Sequence, residues 1–335
     1  MRDQLDSAKG KNLSVVGITG AGGMIGRHLV DALRASGVTI RALLLPNEAI
    51  PSSFRDVEIF RGDIRNPSDL SPFVSGAATI FHLASLVGRD ANRKHIDQVR
   101  QVNVMGTRNV IEQAKRHQVR RFVFLSTCSV YGLHGIADEF VDERAARSPL
   151  DLPYDVTKAE AEASVMAEDR GTLAWSVLQI PVALGGEHTL DKPTVLSLTR
   201  LLVFGLVPRP LGGTTWVNYV FGRDAAEALI ALAQHPAAVG QAFIYSESAP
   251  LSVFLSWMGR ELGRKTWTVP VPGLAFDLAA RTTQFGLALA NRRRFSAEKI
   301  ESLLGFRPSV GLQEGLARTL RHYREAGLIK GLGQV

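Results

Sequence analysis

Residues Thr19–Gly26 read TGAGGMIG, directly after the apolar run Ser14–Thr19 and at the head of an amphipathic stretch, Met24–Ala35. Glycines stand at 20, 23 and 26, with Gly22 in addition. Glycine lets a strand-to-helix turn take unusual φ angles and lets backbone approach a ligand closely, while the helix that starts there offers unpaired N–H groups and the positive end of its dipole. A glycine turn alone can be no more than a tight corner. In this setting it predicts a seat for the pyrophosphate of a dinucleotide, built from Gly20, Gly23, Met24, Ile25 and Gly26.

Working outward, six apolar runs of strand length precede residue 181: Ser14–Thr19, Thr39–Leu45, Val57–Arg61, Thr79–Ala84, Arg121–Ser126 and Ala174–Gln179. Between them lie the helix-like stretches Met24–Ala35, Ser68–Phe73, His95–His117 and Tyr154–Asp169. Strand and helix in alternation make βαβ units, so the pattern predicts an α/β fold with a doubly wound, Rossmann-type parallel sheet over residues 13–180. After Pro181 the pattern loosens at Gly185–Gly186, Pro193, Pro208, Pro210 and Gly212–Gly213. A smaller, irregular substrate lobe, discontinuous with the first, is expected over 181–330. Its elements are helices at Asp224–Gln234, Ser252–Leu262, Ser296–Leu304 and Leu312–Glu325 and a strand at Ala242–Ser246.

The 335 residues are 45% hydrophobic and 21% charged, which excludes a disordered chain. A net charge of +7 favours anionic ligands without naming one. The groups Arg120–Arg121 and Arg292–Arg293–Arg294 are too short and too far apart to make a nucleic-acid face, and are expected as solvated surface. Cys128 is the only cysteine, so no internal disulfide or thiolate-rich metal site can form, and no histidine spacing calls for a metal. The polar N-terminus MRDQLDSAKGKN lacks the apolar core of a signal peptide, which makes the cytoplasm the expected location. Leu274–Ala290 is mostly apolar, but Asp277, Arg281 and Gln284 interrupt it. It is expected to pack on the second lobe rather than contact a membrane.

Tyr154 and Lys158 are four residues apart, hence on one helix face a turn apart. A phenol with a pKa of ~10 is a poor proton-transfer group at neutral pH, and a neighbouring ammonium brings it closer to working range. Alone, the pair is common on exposed helices. Together with the glycine turn and STCSVYG at Ser126–Gly132, at the end of the intervening strand, it falls where ligands of open α/β sheets bind. The chain here resembles the extended short-chain dehydrogenase/reductase family, the NAD-dependent epimerases and dehydratases, over nearly its whole length.

Further matches are GDI at Gly62–Ile64, HLAS at His82–Ser85, NVMGTRNV from Asn103, GRDAAEAL at Gly222–Leu229 and LGFRPSVGLQEGL at Leu304–Leu316. The resemblance implies an enzyme that uses NAD or NADP. Thr127 would hydrogen-bond the substrate oxygen and Tyr154 would move the proton, while Lys158 would hold the nicotinamide ribose and lower the tyrosine pKa. Asp63 and Ile64 would meet the adenine, with Leu83, Ala84, Ser85, Asn103 and Pro181 along the rest of the cofactor. Ser129, Val182, Trp216 and Val217 fall on the substrate side. Family members often dimerise through a bundle of the two long helices, which implies a possible homodimer.

Three departures narrow the reading. The family's dehydratases carry an Asp-Glu pair directly after the threonine, where Cys128 and Ser129 stand, so dehydration is disfavoured. The arginine that pairs with a nucleotide-sugar diphosphate is replaced by Val217, leaving Arg200, Arg209 or Arg223 as other sources of charge. At the end of the second strand Leu44 and Leu45 can read neither a ribose 2′-hydroxyl nor a 2′-phosphate, and Arg27 and Asn47 do not decide between NAD and NADP. The main expectation is hydride transfer at a secondary alcohol or ketone carbon. The alternatives are a nucleotide-sugar 4-epimerase or 4-ketoreductase of surface-polysaccharide synthesis, suggested by His235–Ser252, and a non-catalytic cofactor-binding protein.

Overall fold

The computed structural model describes residues 14–87, 96–132, 139–188, 194–199, 202, 205–211, 214–272 and 291–329. The chain runs from β1 (Val15–Thr19) through α1 (Met24–Arg34), β2 (Thr39–Leu44), β3 (Val57–Arg61), α2 (Pro67–Val74) and β4 (Thr79–His82). It continues with α3 (Ile96–Arg100), α4 (Thr107–Arg116), β5 (Arg121–Thr127), β6 (Glu139–Val141), α5 (Pro153–Met166) and β7 (Ala174–Ile180). Beyond Pro181 come β8 (Val182–Leu184), α6 (Thr194–Thr199), β9 (Leu206–Leu211), β10 (Trp216–Phe221), α7 (Gly222–Gln234) and β11 (Gln241–Ile244). The last elements are β12 (Glu247–Pro250), α8 (Leu251–Glu261), β13 (Trp267–Pro272), β14 (Arg293–Phe295), α9 (Glu298–Leu304) and α10 (Leu312–Glu325). The stretches Leu274–Ala290 and Gly212–Gly213, with Pro193 and Arg200, lie outside the described residues.

Seven parallel strands form the main sheet in the order β11-β7-β5-β4-β1-β2-β3. The order reverses at β1, so the loops after β1 and β4 open a crevice at the carboxyl edge, the usual ligand position of such sheets. Six of the seven strands are those expected. The seventh, β11, comes from the stretch expected as a strand of the second lobe and joins β7 in register from Gln241↔Ser176. It is drawn there by α7, whose alanine-rich face shares one apolar cluster with Leu29, Val30 and Leu33 of α1.

Asp224, in the first turn of α7, accepts the backbone N–H groups of Ser309, Val310 and Gly311, each at 2.9 Å. This ties together the two family motifs at Gly222–Leu229 and Leu304–Leu316. A second apolar cluster lies among β8, β10, α8 and α10, around Leu184, Tyr219, Phe254, Leu316 and Tyr323. No helix among the described residues is long and apolar enough to cross a membrane.

Two expectations are corrected. The single helix at His95–His117 is interrupted by a π turn, Gln101–Gly106, between α3 and α4. Gly106 ends that turn against Ile64, where a Cβ would lie 2.5 Å from Cδ1, and Asn103 is turned into the protein. The arginine groups are not simply solvated. Arg121 is buried at the start of β5, giving its guanidinium to Ser176 Oγ at 3.1 Å and to the Leu232 carbonyl, and burial pushes its pKa down to about 10. Arg294 lies between the rings of Phe140 and Trp216, 3.8 and 4.3 Å from their centroids.

Candidate active site

The glycine turn folds as its spacing requires. Gly20 has φ +69°, and a Cβ there would lie 2.7 Å from Ala84 N. A Cβ on Gly26 would lie 2.3 Å from Gly20 O, so α1 can start this close to β1 only with glycine at that position. Gly23 is the N-cap of α1 and the first turn holds no acidic residue, leaving an amide-lined helix start with the positive dipole end facing out. Met24 and Ile25 form that first turn. This cradle fits a pyrophosphate on backbone alone.

The loop after β4 lies beside it. Leu83 N donates to Thr19 O at 3.1 Å and Ala84 N to Thr19 Oγ1 at 3.3 Å. The buried ring of His82 bridges Thr19 Oγ1 and Thr107 Oγ1 at 2.6 and 2.9 Å, and burial pushes its pKa down to about 3, so the ring is neutral. Ser85 Oγ and Leu86 N both donate to Asn103 Oδ1, at 3.1 and 2.8 Å. Asn103 Nδ2 donates in turn to Leu86 O and to Thr157 Oγ1, at 3.2 and 3.0 Å. Asn103 therefore locks the cofactor loop to α5 and has its amide fully engaged within the protein. Asp63 is chelated by Arg65, which holds its carboxyl below the usual range, and Ile64 is buried in the core.

A residue that sequence reasoning passed over completes this end. Glu48 folds back over the glycine turn: its Oε2 accepts Leu45 N at 3.0 Å, and a Cβ on Gly22 would lie 1.9 Å from its Oε1. A carboxylate thus stands beside the glycine turn, four residues beyond Leu44. The PNE turn after the strand was the available signal. Arg27 is engaged with Gly22 O at 2.8 Å.

At the same edge of the sheet, β5 ends in Thr127 beside Ile180 of β7, which places Pro181 next to the threonine's level. The start of α5 brings up Tyr154, and the Thr127 hydroxyl acts on its phenol to lower the pKa. Thr127 Oγ1 lies 3.1 Å from Ser129 Oγ and accepts Ser129 N at 3.2 Å. Lys158, one turn along, is buried; its Nζ donates to Leu125 O at 2.7 Å and lies 4.1 Å from the Phe124 ring centroid. Burial pushes the lysine down to about 7, with Glu162 acting in the opposite direction.

The expected lowering of the tyrosine by Lys158 is not what this geometry gives. The protein around the phenol strips it of water and pushes it up to about 12, the charge of Asp155 adds to that, and only Thr127 opposes it. Cys128 is buried and its thiol is pushed up by desolvation, which fits a packed side chain.

On the substrate side Val182 is exposed and available, but Val217 is only 6% exposed and belongs to the second apolar cluster. It is a core residue because β10 turns that position inward, and Trp216 beside it faces Arg294. Arg209 is exposed and Arg223 pairs with Glu227 at 3.0 Å. Elsewhere the fold gathers His28, Glu187 and His188 with one possible ligand atom of each within 4.8 Å, a grouping that no sequence spacing announced. Both rings already have partners, Gly185 O at 2.9 Å and Asp31 Oδ2 at 2.6 Å.

The NAD dependent epimerase/dehydratase family model matches residues 16–246, so the chain belongs to that family. It is 26% identical to the UDP-glucose 4-epimerase of Vibrio cholerae over 328 aligned positions, covering 92% of this chain and 95% of that one. It is 27% identical to the decarboxylating sterol-4-alpha-carboxylate 3-dehydrogenase of Bos taurus over 349 positions, covering 95% and 94%. Among solved structures, a short-chain dehydrogenase/reductase superfamily protein of Agrobacterium tumefaciens with bound NAD superposes with a TM-score of 0.73 at 23% identity, over 94% of this chain and 99% of that one, which shows the shared fold. The protein is an enzyme of the NAD(P)-dependent oxidoreductase class.

Proposed function

We propose that this enzyme interconverts a secondary alcohol and its ketone, with Tyr154 as general acid/base and NAD as the preferred cofactor. The observation that carries the reading is the Tyr154–Thr127 pair at the carboxyl edge of the sheet, with buried Lys158 one turn along the same helix face. Gly20, Gly23, Met24, Ile25 and Gly26 would seat the pyrophosphate, Glu48 the adenosine ribose and Lys158 the nicotinamide ribose. The cofactor supplies hydride chemistry; the chain's own residues orient the carbinol oxygen and move its proton. Thr127 and Tyr154 would share that oxygen, and the burial of Lys158 would keep water from competing at its ammonium.

Val217, uncharged and buried, offers a substrate diphosphate no partner at that place, which favours an uncharged alcohol such as a sterol-type carbinol. Arg294, stacked beside Trp216, supports the second reading, a nucleotide-sugar 4-epimerase or 4-ketoreductase. One experiment separates them. The purified protein is denatured, any released nucleotide is identified, and exchange of added NADH and NADPH into the native protein is followed. Turnover is then screened with a 3β-hydroxysteroid and with UDP-glucose. Reversible exchange and oxidation of the steroid support the main reading. Retained NAD with epimerisation of UDP-glucose supports the second. Pairing of two copies through α4 and α5 rests on the resemblance, and light scattering tests it.

A further inference from the structure

We propose that His28, His188 and Glu187 form a binding site for a divalent transition-metal ion of the zinc class, which would clamp α1 to the turn Gly186–His188 after β8. Each of the three side chains places one possible ligand atom within 4.8 Å of the other two. The fold presets this grouping. His28 and Asp31 stand three residues apart on α1 and so share a face. After β8 the chain turns at Gly186, whose φ of +52° is a left-handed value that glycine takes without strain. Gly186 N donates to Thr319 Oγ1 at 3.1 Å and His188 N to Gly185 O at 3.0 Å, which fixes the turn against α10. Residues 187 and 188 are thereby laid on α1, with the rings of His28 and His188 4.5 Å apart and inclined at 73°.

A histidine that binds a metal through one ring nitrogen ordinarily gives its other N–H to a carbonyl or a carboxylate, which fixes the tautomer and makes the ligating nitrogen more basic. Both rings have that partner in place. His28 Nε2 lies 2.9 Å from Gly185 O, and His188 Nε2 lies 2.6 Å from Asp31 Oδ2. A carbonyl and an ionised carboxylate only accept, so in the neutral rings each Nε2 carries the proton and each Nδ1 keeps its lone pair. Packing agrees for His28. A Cβ on Gly222 would lie 2.4 Å from its Cδ2 and 2.8 Å from its Nε2, so that edge is pressed against the start of α7, and Nδ1 is the ring atom opposite it. Burial pushes the His28 pKa down to about 4, which leaves the ring neutral at pH 7.

Glu187 supplies the third ligand from the surface. It is exposed, and among the described residues no hydrogen bond or ion pair holds its carboxylate. With Arg318, Arg321 and His322 it lines a surface cavity of about 370 Å³, which gives an ion its path in, and Arg318 there pairs with Glu314 at 2.8 Å. Asp31 Oδ1 lies 3.8 Å from Arg34 Nη1, which leaves Oδ2 to His188. Two imidazoles and one carboxylate suit zinc and its neighbours, whereas magnesium and calcium take oxygen ligands. A tetrahedral ion with bonds of about 2.0–2.1 Å holds its ligand atoms about 3.3 Å apart, a closure that rotation of the exposed Glu187 assists. Water would take the fourth position. Such an ion cross-links the helix that begins at the glycine turn to a segment beyond Pro181, a role separate from the chemistry read at Tyr154.

The test uses the full chain without an affinity tag, dialysed against a chelator, with Zn²⁺ and Mg²⁺ as probes in calorimetry and thermal melting and Co²⁺ as the spectroscopic probe. Wild type is expected to bind one Zn²⁺ per chain with a sub-micromolar Kd, at least about 10²-fold tighter than Mg²⁺. Zn²⁺ is expected to raise its melting temperature, because the ion binds the folded chain, and Co²⁺ to give the intense visible bands of a four-coordinate site. Glu187→Gln and His188→Gln are each expected to lose the Co²⁺ bands and the shift in melting. Asp31→Asn, which touches the site only through His188 Nε2, is expected to weaken Zn²⁺ about tenfold, the lower range for a group that orients a ligand. Glu187 and Asp31 are exposed, so these two variants keep the test open if His188→Gln fails to fold, which circular dichroism would show. Zn²⁺ binding no tighter than Mg²⁺, or unchanged in Glu187→Gln, overturns the proposal. Binding that is lost in His188→Gln but indifferent to both Glu187→Gln and Asp31→Asn overturns it as well, because a lone surface histidine would then account for it.

Discussion

The cofactor end of the sheet is built from backbone and the second lobe from side chains. At Gly20, Gly23 and Gly26 the functional element is the absence of a side chain, and the turn admits one geometry. In the second lobe, Val217 faces inward and Arg294 is held by Trp216 and Phe140, both placed by strands that meet only in the folded molecule. Function made from backbone leaves a spaced motif in the chain, whereas function made from side chains across strands does not. The candidate site joins the two modes, with Tyr154 and Lys158 on α5 and Thr127 at the end of β5.

The sharpest way to break this comparison is at the join. Tyr154→Phe is expected to lower kcat by about 10³-fold, within the range of a lost general acid–base, with cofactor Kd unchanged. Retained turnover would show that the motif-borne phenol is not the proton carrier. A loss of cofactor affinity would show that the two ends are not separable. Folding should be judged by circular dichroism on the same samples.

A second prediction concerns the cost of burying an acid beside Tyr154. The Asp155 carboxyl is raised from 3.8 to about 6 by burial, so the folded protein holds its proton more tightly than the unfolded chain. The stability this contributes is fully present below about pH 4 and is lost as pH rises through 6, which leaves the ionised protein less stable by about 3 kcal/mol. Asp155→Asn is therefore expected to melt at a higher temperature than wild type at pH 8, with the difference vanishing near pH 4. Equal melting curves at both pH values would place Asp155 in water.

The frame of the molecule was legible because it follows local rules. Alternating strand and helix runs placed six strands of the main sheet, and the glycine spacing matches the close strand-to-helix turn. The seventh strand was misplaced because β11 reads like any short apolar run; only the packing of α7 on α1 assigns it to the first sheet. The π turn at Gln101–Gly106 left no signal in periodicity, since one extra residue in a helix barely shifts an apolar stripe. Of the candidate site residues, Tyr154, Lys158 and Thr127 stand in motifs, while Glu48 does not. Glu48 meets the glycine turn at Gly22 only in the folded molecule.

The backbone-built end is tested by adding a single carbon. Gly26→Ala would place its Cβ 2.3 Å from Gly20 O, and the clash is with backbone, which cannot turn away as a side chain can. The variant is expected to lose about 1–3 kcal/mol of stability, the usual cost of overpacking, together with dinucleotide binding. Gly37→Ala serves as control: nothing lies within 4 Å of its added carbon, and its φ of +67° confines the cost to backbone strain while cofactor binding stays intact. Similar loss of binding in both would mean that the turn contributes only fold.

The smallest effect probes the one side chain that intrudes on the backbone-built end. Glu48 sets a carboxylate over Gly22, where it would accept ribose hydroxyls and repel a 2′-phosphate, so NAD is expected to bind about tenfold tighter than NADP, or about 1.4 kcal/mol. Arg61 stands nearby but gives its guanidinium to the carbonyls of Leu45 and Glu48, at 2.9 and 2.5 Å, which holds the loop in place instead of leaving the charge free for phosphate. Glu48→Gln is expected to narrow the preference by raising NADP affinity while NAD affinity falls slightly, read by isothermal titration with both nucleotides at one ionic strength. Tighter binding of NADP by wild type would mean that Arg27 and Arg61 release their carbonyl partners on binding. In that case even the cofactor end would depend on side-chain rearrangement, and the contrast between the two regions would be one of degree.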